Sequence, residues 1–164
     1  MPRRKLILFS GLVLAIVLIS PAAAMGAAKG TNRDLTGTVT LTTTVNLITL
    51  AGTQVASGQL SHLGKVTDSG DLQFALVGPN GFSFTVTYTI VAANGDKLFA
   101  NGSGTGNSGP PITSTSSNTI VGGTGRFADA SGTFTVTALS TSVSTSGSIR
   151  TVTQTGTLNG TITY

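Results

Sequence analysis

The sequence predicts an all-β protein, a single eight-stranded antiparallel β-barrel preceded by a signal peptide. Three observations predict this arrangement. Apolar residues alternate with Thr or Ser over long stretches, which is the period of a half-buried strand. Turn signals rich in Gly, Asn and Pro separate these stretches. A basic and then strongly apolar segment stands at the N-terminus.

The N-terminal segment has the three parts of a secretory signal peptide. Basic residues occupy positions 3–5, and an apolar run of 14 residues follows at 6–19. A bilayer span needs about 20 apolar residues, so this run is short for an uncleaved membrane anchor, which is the alternative. The small residues that follow fit cleavage after Ala24 or after Ala28. We therefore expect a chain secreted to the periplasm or the extracellular space, with no stable membrane span after cleavage.

The mature domain, residues 29–164, is nearly neutral. The whole chain has a net charge of +4, but three of its nine Lys and Arg residues lie in the leader. The remaining six basic and five acidic residues leave a charge of +1 and form no basic patch, so we expect no nucleic-acid partner. The chain has no Cys, which excludes disulfides and thiolate metal sites. We expect neither a metal nor a cofactor.

The strand prediction is clearest where the alternation is longest. Residues 82–90 place aromatic and aliphatic side chains on one face and Ser or Thr on the other. Residues 151–163 repeat the pattern with Thr at nearly every second position. β-Branched Thr and Val suit a pleated surface and disfavour helix. We predict eight strands, over residues 36–49, 54–62, 71–78, 82–93, 96–104, 112–121, 132–145 and 148–163.

Eight antiparallel strands expose two edges unless the sheet closes on itself. A closed barrel of eight strands is just wide enough to be filled by side chains or to hold one small ligand. Gly156 and Gly160 fall on the inward face of the last strand. They either leave a cavity or permit sharp coiling of the strand.

Residues 120–132 read IVGGTGRFADASG. This segment is similar to the glycine-rich signature of the allene oxide cyclase and dirigent-like barrel superfamily. Residues 61–65 (SHLGK), 94–98 (NGDKL) and 158–164 resemble shorter pieces of its bacterial secreted members. The resemblance implies an eight-stranded antiparallel barrel for residues 29–164. Within the signature it implies a structural role for Gly122, Gly123, Gly125, Arg126 and Phe127.

The plant enzymes of this superfamily cyclise or orient small hydrophobic intermediates inside the barrel. The resemblance therefore implies a small hydrophobic molecule as the partner. The chain contains no Glu, so a catalytic carboxylate of that type is not carried over. The fold alone does not establish an activity.

Several polar motifs have simple structural interpretations. Residues 122–126 lack the Lys-Ser/Thr ending of a phosphate-binding loop, and we predict a tight turn there. Residues 68–71 and 94–96 read as Asp-containing turns rather than Ca²⁺ loops. His62, the only histidine, is expected to make structural hydrogen bonds; catalysis would need Asp68 or Asp71 to orient it.

Three functions remain open from the sequence. The first is a non-catalytic module that binds a small hydrophobic ligand, and the second is a structural or adhesive protein that uses Thr-rich outer strands. The third is a cyclase or isomerase-like enzyme, with a buried Tyr88 phenol as its hydrogen-bonding group. Catalytic residues and oligomeric state are left undetermined. The predicted cavity lining is Phe84, Val86, Tyr88, Phe134 and Val136.

Overall fold

The computed structural model describes residues 30–164, which form one closed antiparallel barrel of eight strands. Each strand pairs with the next along the chain, and the last pairs with the first. The predicted fold class is confirmed. The predicted signal peptide, residues 1–28 with cleavage after Ala24 or Ala28, lies outside the described residues. The strands are β1 (Asn32–Asn46), β2 (Ala51–Leu60), β3 (Gly64–Val77), β4 (Gly81–Val91), β5 (Lys97–Asn107), β6 (Thr113–Gly123), β7 (Ser131–Ser146) and β8 (Ile149–Thr163).

Alternation along the strands places apolar side chains inside the barrel and hydroxyl side chains outside. In β4, Val86, Tyr88 and Ile90 are buried, whereas Thr85 and Thr87 are exposed. The neighbouring strands continue this division, because inward positions of paired strands lie on the same side of the sheet. The inward residues form one apolar core along the barrel axis.

Strand β3 begins earlier than the sequence pattern predicts. It starts at Gly64 instead of residue 71, so the predicted turn at 68–71 is wrong and these residues lie within the strand. The cause is tertiary: Gly70 pairs with Tyr88 of β4, and a Cβ at Gly70 would lie 3.2 Å from the Tyr88 ring. The glycine therefore makes room for the ring inside the barrel. Pairing with both neighbouring strands outweighs the local turn preference of Asp and Gly.

One end of the barrel is closed by a compact apolar plug. Aliphatic side chains from three strands and from the β2–β3 turn meet an aromatic side chain from the β6–β7 loop. The Phe127 ring packs edge to face against Tyr164, with ring centroids 4.9 Å apart. The plug has almost no contact with solvent and consists of Leu35, Leu63, Leu98, Phe127 and Ile162.

The glycine-rich segment after β6 folds into a loop that carries Phe127 into the plug. Gly122 has a φ of 123° and Gly125 a φ of 55°, a region that favours glycine. A 3-10 turn follows at Gly125–Phe127. The Arg126 guanidinium lies 4.6 Å from the Phe127 ring centroid and donates from Nη2 to the His62 carbonyl oxygen at 2.8 Å. The segment that resembles the superfamily signature thus holds the closed end together.

Candidate ligand cavity

The opposite end of the barrel opens into a cavity of about 120 Å³. One water molecule needs about 10–15 Å³ of such space, so the cavity has room for a small organic molecule. Its mouth lies among the turns that join β1 to β2, β3 to β4, β5 to β6 and β7 to β8. Most of its wall is apolar. The aliphatic lining consists of Leu41, Val45, Leu47, Leu50, Leu72, Leu76, Ile112, Val136, Ala138 and Val152.

Three phenylalanine rings form the aromatic part of the wall. The centroids of Phe74, Phe82 and Phe84 lie 5.7 to 6.1 Å from one another. The neighbouring strand β5 presents glycine to these rings. A Cβ at Gly104 would strike the Phe84 ring, and one at Gly106 would strike the Phe82 ring. The missing side chains on β5 therefore allow the rings to lie against its backbone and to line the cavity.

The floor of the cavity is polar. Gln54 of β2, Tyr88 of β4, Ser116 of β6 and Gln154 of β8 line it, and all four are buried. Asn118, one inward position deeper on β6, donates from Nδ2 to Ser116 Oγ at 3.0 Å and to a main-chain carbonyl of β7 at 3.2 Å. A ligand that reaches the floor meets hydrogen-bonding groups at the end of an apolar wall.

A second, smaller cavity of about 20 Å³ lies deeper in the barrel. Gln54 and Tyr88 line both cavities, whereas Asp68 lines the inner one. The inner cavity has room for about one water molecule. The side chains of Gln54 and Tyr88 therefore stand between the outer cavity and an inner space that contains a carboxyl group.

Burial changes the protonation of two inner side chains. Desolvation raises the pKa of the Asp68 carboxyl to about 6, and the nearby Gln54 side chain and Ala56 backbone amide offset part of this effect. Desolvation also raises the pKa of the Tyr88 phenol to about 12, although the adjacent Ser116 hydroxyl acts in the opposite direction. Tyr88 is therefore a neutral phenol at physiological pH, and Asp68 changes its charge near pH 6.

Four buried polar atoms have no hydrogen-bond partner among residues 30–164. They are Nε2 of Gln54, Oδ1 of Asp68, Oδ1 of Asn118 and Nε of Arg150. Buried polar atoms in native proteins usually have a partner, and water or a ligand supplies it where the protein does not. Gln54 lines both cavities, Asp68 lines the inner one, and Arg150 lines the outer cavity near its mouth, whereas Asn118 lines neither. The cavity therefore has unused hydrogen-bonding capacity at both of its ends.

Comparison of the chain with protein-family models, with curated proteins and with solved structures found no match. The likeness to allene oxide cyclase and dirigent-like barrels stays a prediction that rests on residues 120–132 and the shorter motifs. In the part of the chain that the structure describes, no three His, Asp or Glu residues are grouped as metal ligands. No helix within residues 30–164 has the length and apolar character needed to cross a bilayer.

Four of the five predicted lining residues line one or both of the cavities. Phe84, Tyr88 and Val136 line the outer cavity, and Tyr88 and Val136 also line the inner one. Phe134 lines the inner cavity, where its ring centroid lies 6.3 Å from that of Tyr88. Val86 lines neither cavity: it is buried in the apolar core, and it pairs with Leu72 of β3.

His62 does not join a carboxylate inside the barrel. It is exposed in the β2–β3 turn at the closed end, where its main-chain carbonyl accepts the hydrogen bond from Arg126. Strand β3 carries Asp68 into the barrel interior and Asp71 onto the outer face, away from this turn. The geometry therefore does not supply the orienting carboxylate that the catalytic alternative for His62 requires. The structural hydrogen bond at His62 is made by its backbone.

The sequence pattern misses the polar floor. Gln54, Ser116 and Gln154 occupy inward positions on three different strands. Each looks like an ordinary polar residue, at the start of a predicted strand, within a Ser-rich run and within a Thr-rich run respectively. A polar residue at an inward position of an alternating strand is the signal that would identify them. The alternation of residues 151–163 shows this signal at Gln154, whereas for Gln54 and Ser116 it becomes visible only when the register of their strands is known.

Proposed function

We propose that this protein is a secreted, non-catalytic β-barrel that binds a small hydrophobic molecule in its interior. The observation that carries the proposal is the cavity of about 120 Å³, with apolar walls, one open end and a polar floor. Ligand sites typically combine an apolar lining with a few placed polar groups. The signal-peptide pattern supports export, and the family resemblance supports the same class of ligand.

The geometry suggests how such a ligand is held. Its apolar body lies against Phe74, Phe82 and Phe84, where burial of apolar surface supplies the affinity. A polar group at its leading end reaches the Gln54 amide and the Tyr88 phenol. Nε2 of Gln54 is already buried without a partner, so pairing it with the ligand relieves an existing desolvation cost.

Native mass spectrometry of the protein from its own host is the first test. We expect an added mass that is lost on denaturation and that belongs to one small molecule. That molecule, added back to the stripped protein, should rebind with one molecule per barrel. Failure to recover any binding with the host's apolar extract would contradict the proposal.

Substitution of Ala138 by Phe is expected to block the cavity. Ala138 is buried and lines the cavity, so a phenyl ring at this position occupies the space that a ligand needs. We expect the affinity for the apolar dye anilinonaphthalene sulfonate to fall at least about tenfold in a fluorescence titration. Ala75→Phe, at an exposed position on β3, is the matched control and should bind normally. Unchanged dye binding by folded Ala138→Phe would place the binding site elsewhere.

A cyclase or isomerase-like activity is the second candidate, and the buried polar cluster favours it. Such chemistry needs a polar group inside the cavity, and Tyr88 supplies a neutral phenol there. Asp68, with a pKa raised to about 6, exchanges a proton near physiological pH. The Tyr88 phenol would stabilise an oxygen on a molecule in the outer cavity, whereas Asp68 lies behind it in the inner cavity.

Tyr88→Phe separates this activity from binding. The variant keeps the ring and loses the hydroxyl, so we expect ligand affinity within a few-fold of wild type and no conversion. An isomer keeps its mass and changes its chromatographic retention, which is the measurement. If the wild-type protein returns its ligand unchanged after prolonged incubation, the enzymatic candidate is excluded for that ligand.

The structural or adhesive alternative expects a filled barrel with a flat Thr face. Rows of Thr are present on the outside, since Thr157 of β8 pairs with Thr38 of β1 and with Thr137 of β7. These rows curve around a closed barrel, and the interior holds a cavity. This geometry favours ligand binding over an adhesive plane.

A further inference from the structure

We infer that the open end of the barrel docks on the surface of a lipid bilayer with its mouth facing the lipid. Most of the large exposed aliphatic side chains lie at the mouth and most of the charged side chains at the closed end, and this distribution carries the inference. Docking goes beyond the proposed ligand binding. Passage of the ligand between the lipid and the cavity rests on that proposed function.

Exposed aliphatic side chains surround the mouth of the cavity. They come from the β1–β2 turn, from the end of β3 and from the two strands beside the β7–β8 turn. Ile48 and Leu76 are 80% and 73% exposed, so nearly the whole side chain faces water. A cluster of large exposed apolar groups around one feature marks an interaction surface. We name this cluster the mouth collar, and it consists of Leu47, Ile48, Leu76, Val77, Val143 and Ile149.

The collar is continuous with the interior of the barrel. Leu47 and Leu76 belong to the collar and also line the cavity. An apolar path therefore runs from the exposed rim to the aromatic wall. A molecule leaving a hydrocarbon phase at the rim would enter the cavity without crossing water.

Except for Arg150, which follows Ile149 at the mouth, charged side chains lie away from the collar. The four mouth turns, residues 47–50, 78–80, 108–112 and 147–148, contain no charged residue. Asp68 and Asp71 lie midway along β3, and Arg150 is half-buried in the cavity wall. The remaining charges gather at the closed end, in residues 33–34, Lys65, Asp96, Lys97, Arg126 and Asp129.

This distribution matches the surface of a bilayer. A rim whose exposed side chains are apolar enters the boundary of the hydrocarbon at little desolvation cost, because Arg150, the ionised group near it, is already half-buried in the cavity wall. A charged rim would be costly there. The Arg150 guanidinium at the mouth complements the phosphate groups of lipids. The described chain begins and ends at the closed end, where the Thr31 N–H donates to the Tyr164 carbonyl oxygen. Docking through the collar therefore leaves both described termini away from the lipid.

Co-sedimentation with phosphatidylcholine vesicles tests the inference. The sample is the protein as its host processes it, and an intact mass shows that the apolar run at 6–19, which itself has affinity for lipid, is absent. We expect the wild-type protein to sediment with the vesicles. Ile48→Ser combined with Val77→Ser should lower the ratio of bound to free protein at least about tenfold, because two exposed apolar side chains no longer leave water.

A matched pair of single variants distinguishes the collar from exposed apolar surface in general. Val77 in the collar is 55% exposed, and Val121 near the closed end is 56% exposed. We expect Val77→Ser to weaken vesicle binding several-fold and Val121→Ser to leave it unchanged. Neither Ile48 nor Val77 lines the cavity, so dye binding without lipid should be normal in these variants.

Three outcomes would overturn docking. One is a wild-type protein that stays in the supernatant at every vesicle concentration. Another is an equal loss of vesicle binding for Val77→Ser and Val121→Ser. The third is a dimer, measured by sedimentation velocity without lipid, that the collar variants dissociate, because the collar would then bind a second copy of the chain. Dye titration without lipid reports on ligand binding separately, so failure of docking and failure of the proposed function are distinguishable.

Discussion

Asp68→Asn is expected to stabilise the folded protein at neutral pH by up to about 3 kcal/mol. Desolvation raises the pKa of the Asp68 carboxyl from 3.8 to about 6. A shift of this size corresponds to about 3 kcal/mol of unfavourable interaction for the ionised form. Asn has nearly the same size as Asp, carries no charge and can still form a hydrogen bond with the Gln54 side chain. It therefore avoids the cost of burying a carboxylate.

The direction of the pH dependence follows from the raised pKa. The unfolded chain releases the Asp68 proton near pH 3.8, whereas the folded protein keeps it up to about pH 6. The folded state binds more protons in this window, so this group lowers the free energy of unfolding as the pH rises from about 4 to 6. This loss of unfolding free energy is complete above the pKa of Asp68 in the folded protein and absent below its pKa in the unfolded chain.

Urea unfolding at pH 3.5 and pH 7.5 measures the effect. The stability difference between Asp68→Asn and the wild type should be near zero at the lower pH and should reach its full value at the higher one. Asp71→Asn, exposed on the same strand, is the control and should change stability little at either pH. A gain of equal size at both values would show that the Asp68 charge is not the cause.

The sequence predicts the barrel because a closed sheet has one inside and one outside. Residues 82–90 alternate throughout and residues 151–163 do so except at Gln154, and burial follows this period over residues 85–90 and 152–158. The pattern fails at 68–71, where Asp, Ser and Gly favour a turn locally. Gly70 is needed there because the Tyr88 ring lies opposite it, and Tyr88 is distant in sequence. Local sequence preferences cannot predict such contacts between residues that are distant in the sequence.

The same limit applies to the cavity. Phe84, Tyr88 and Val136 follow from alternation alone, because they lie on the inward faces of long strands. Phe84 lines the cavity beside Gly104 of β5. Val86 lies on the same face of β4 but is buried in the apolar core, where it meets no open space. Alternation decides which side chains point inward. The register of the neighbouring strands decides which of them meet open space.

Phe127→Ala is expected to lower the free energy of unfolding by about 3–5 kcal/mol. Phe127 is completely buried in the plug, and its ring meets Tyr164 and Arg126. Removing the ring loses its transfer free energy and leaves a void that the surroundings refill only in part. The backbone on both sides is constrained by Gly122 and by the 3-10 turn that begins at Gly125, which limits collapse into that void.

Phe127→Leu is the matched control, because it keeps most of the apolar volume and should lose less stability than Phe127→Ala in the same urea unfolding measurement. A loss below about 1 kcal/mol for Phe127→Ala would show that the plug contributes little to the stability of the barrel.

The plug lies at the end opposite the mouth, so the folded fraction of Phe127→Ala should bind the dye with wild-type affinity. Stability and binding then depend on different ends of the barrel. The cavity, the unpaired polar atoms and the exposed apolar rim at the open end each lower the stability of the folded protein. The stability that the packed plug supplies at the closed end offsets this loss.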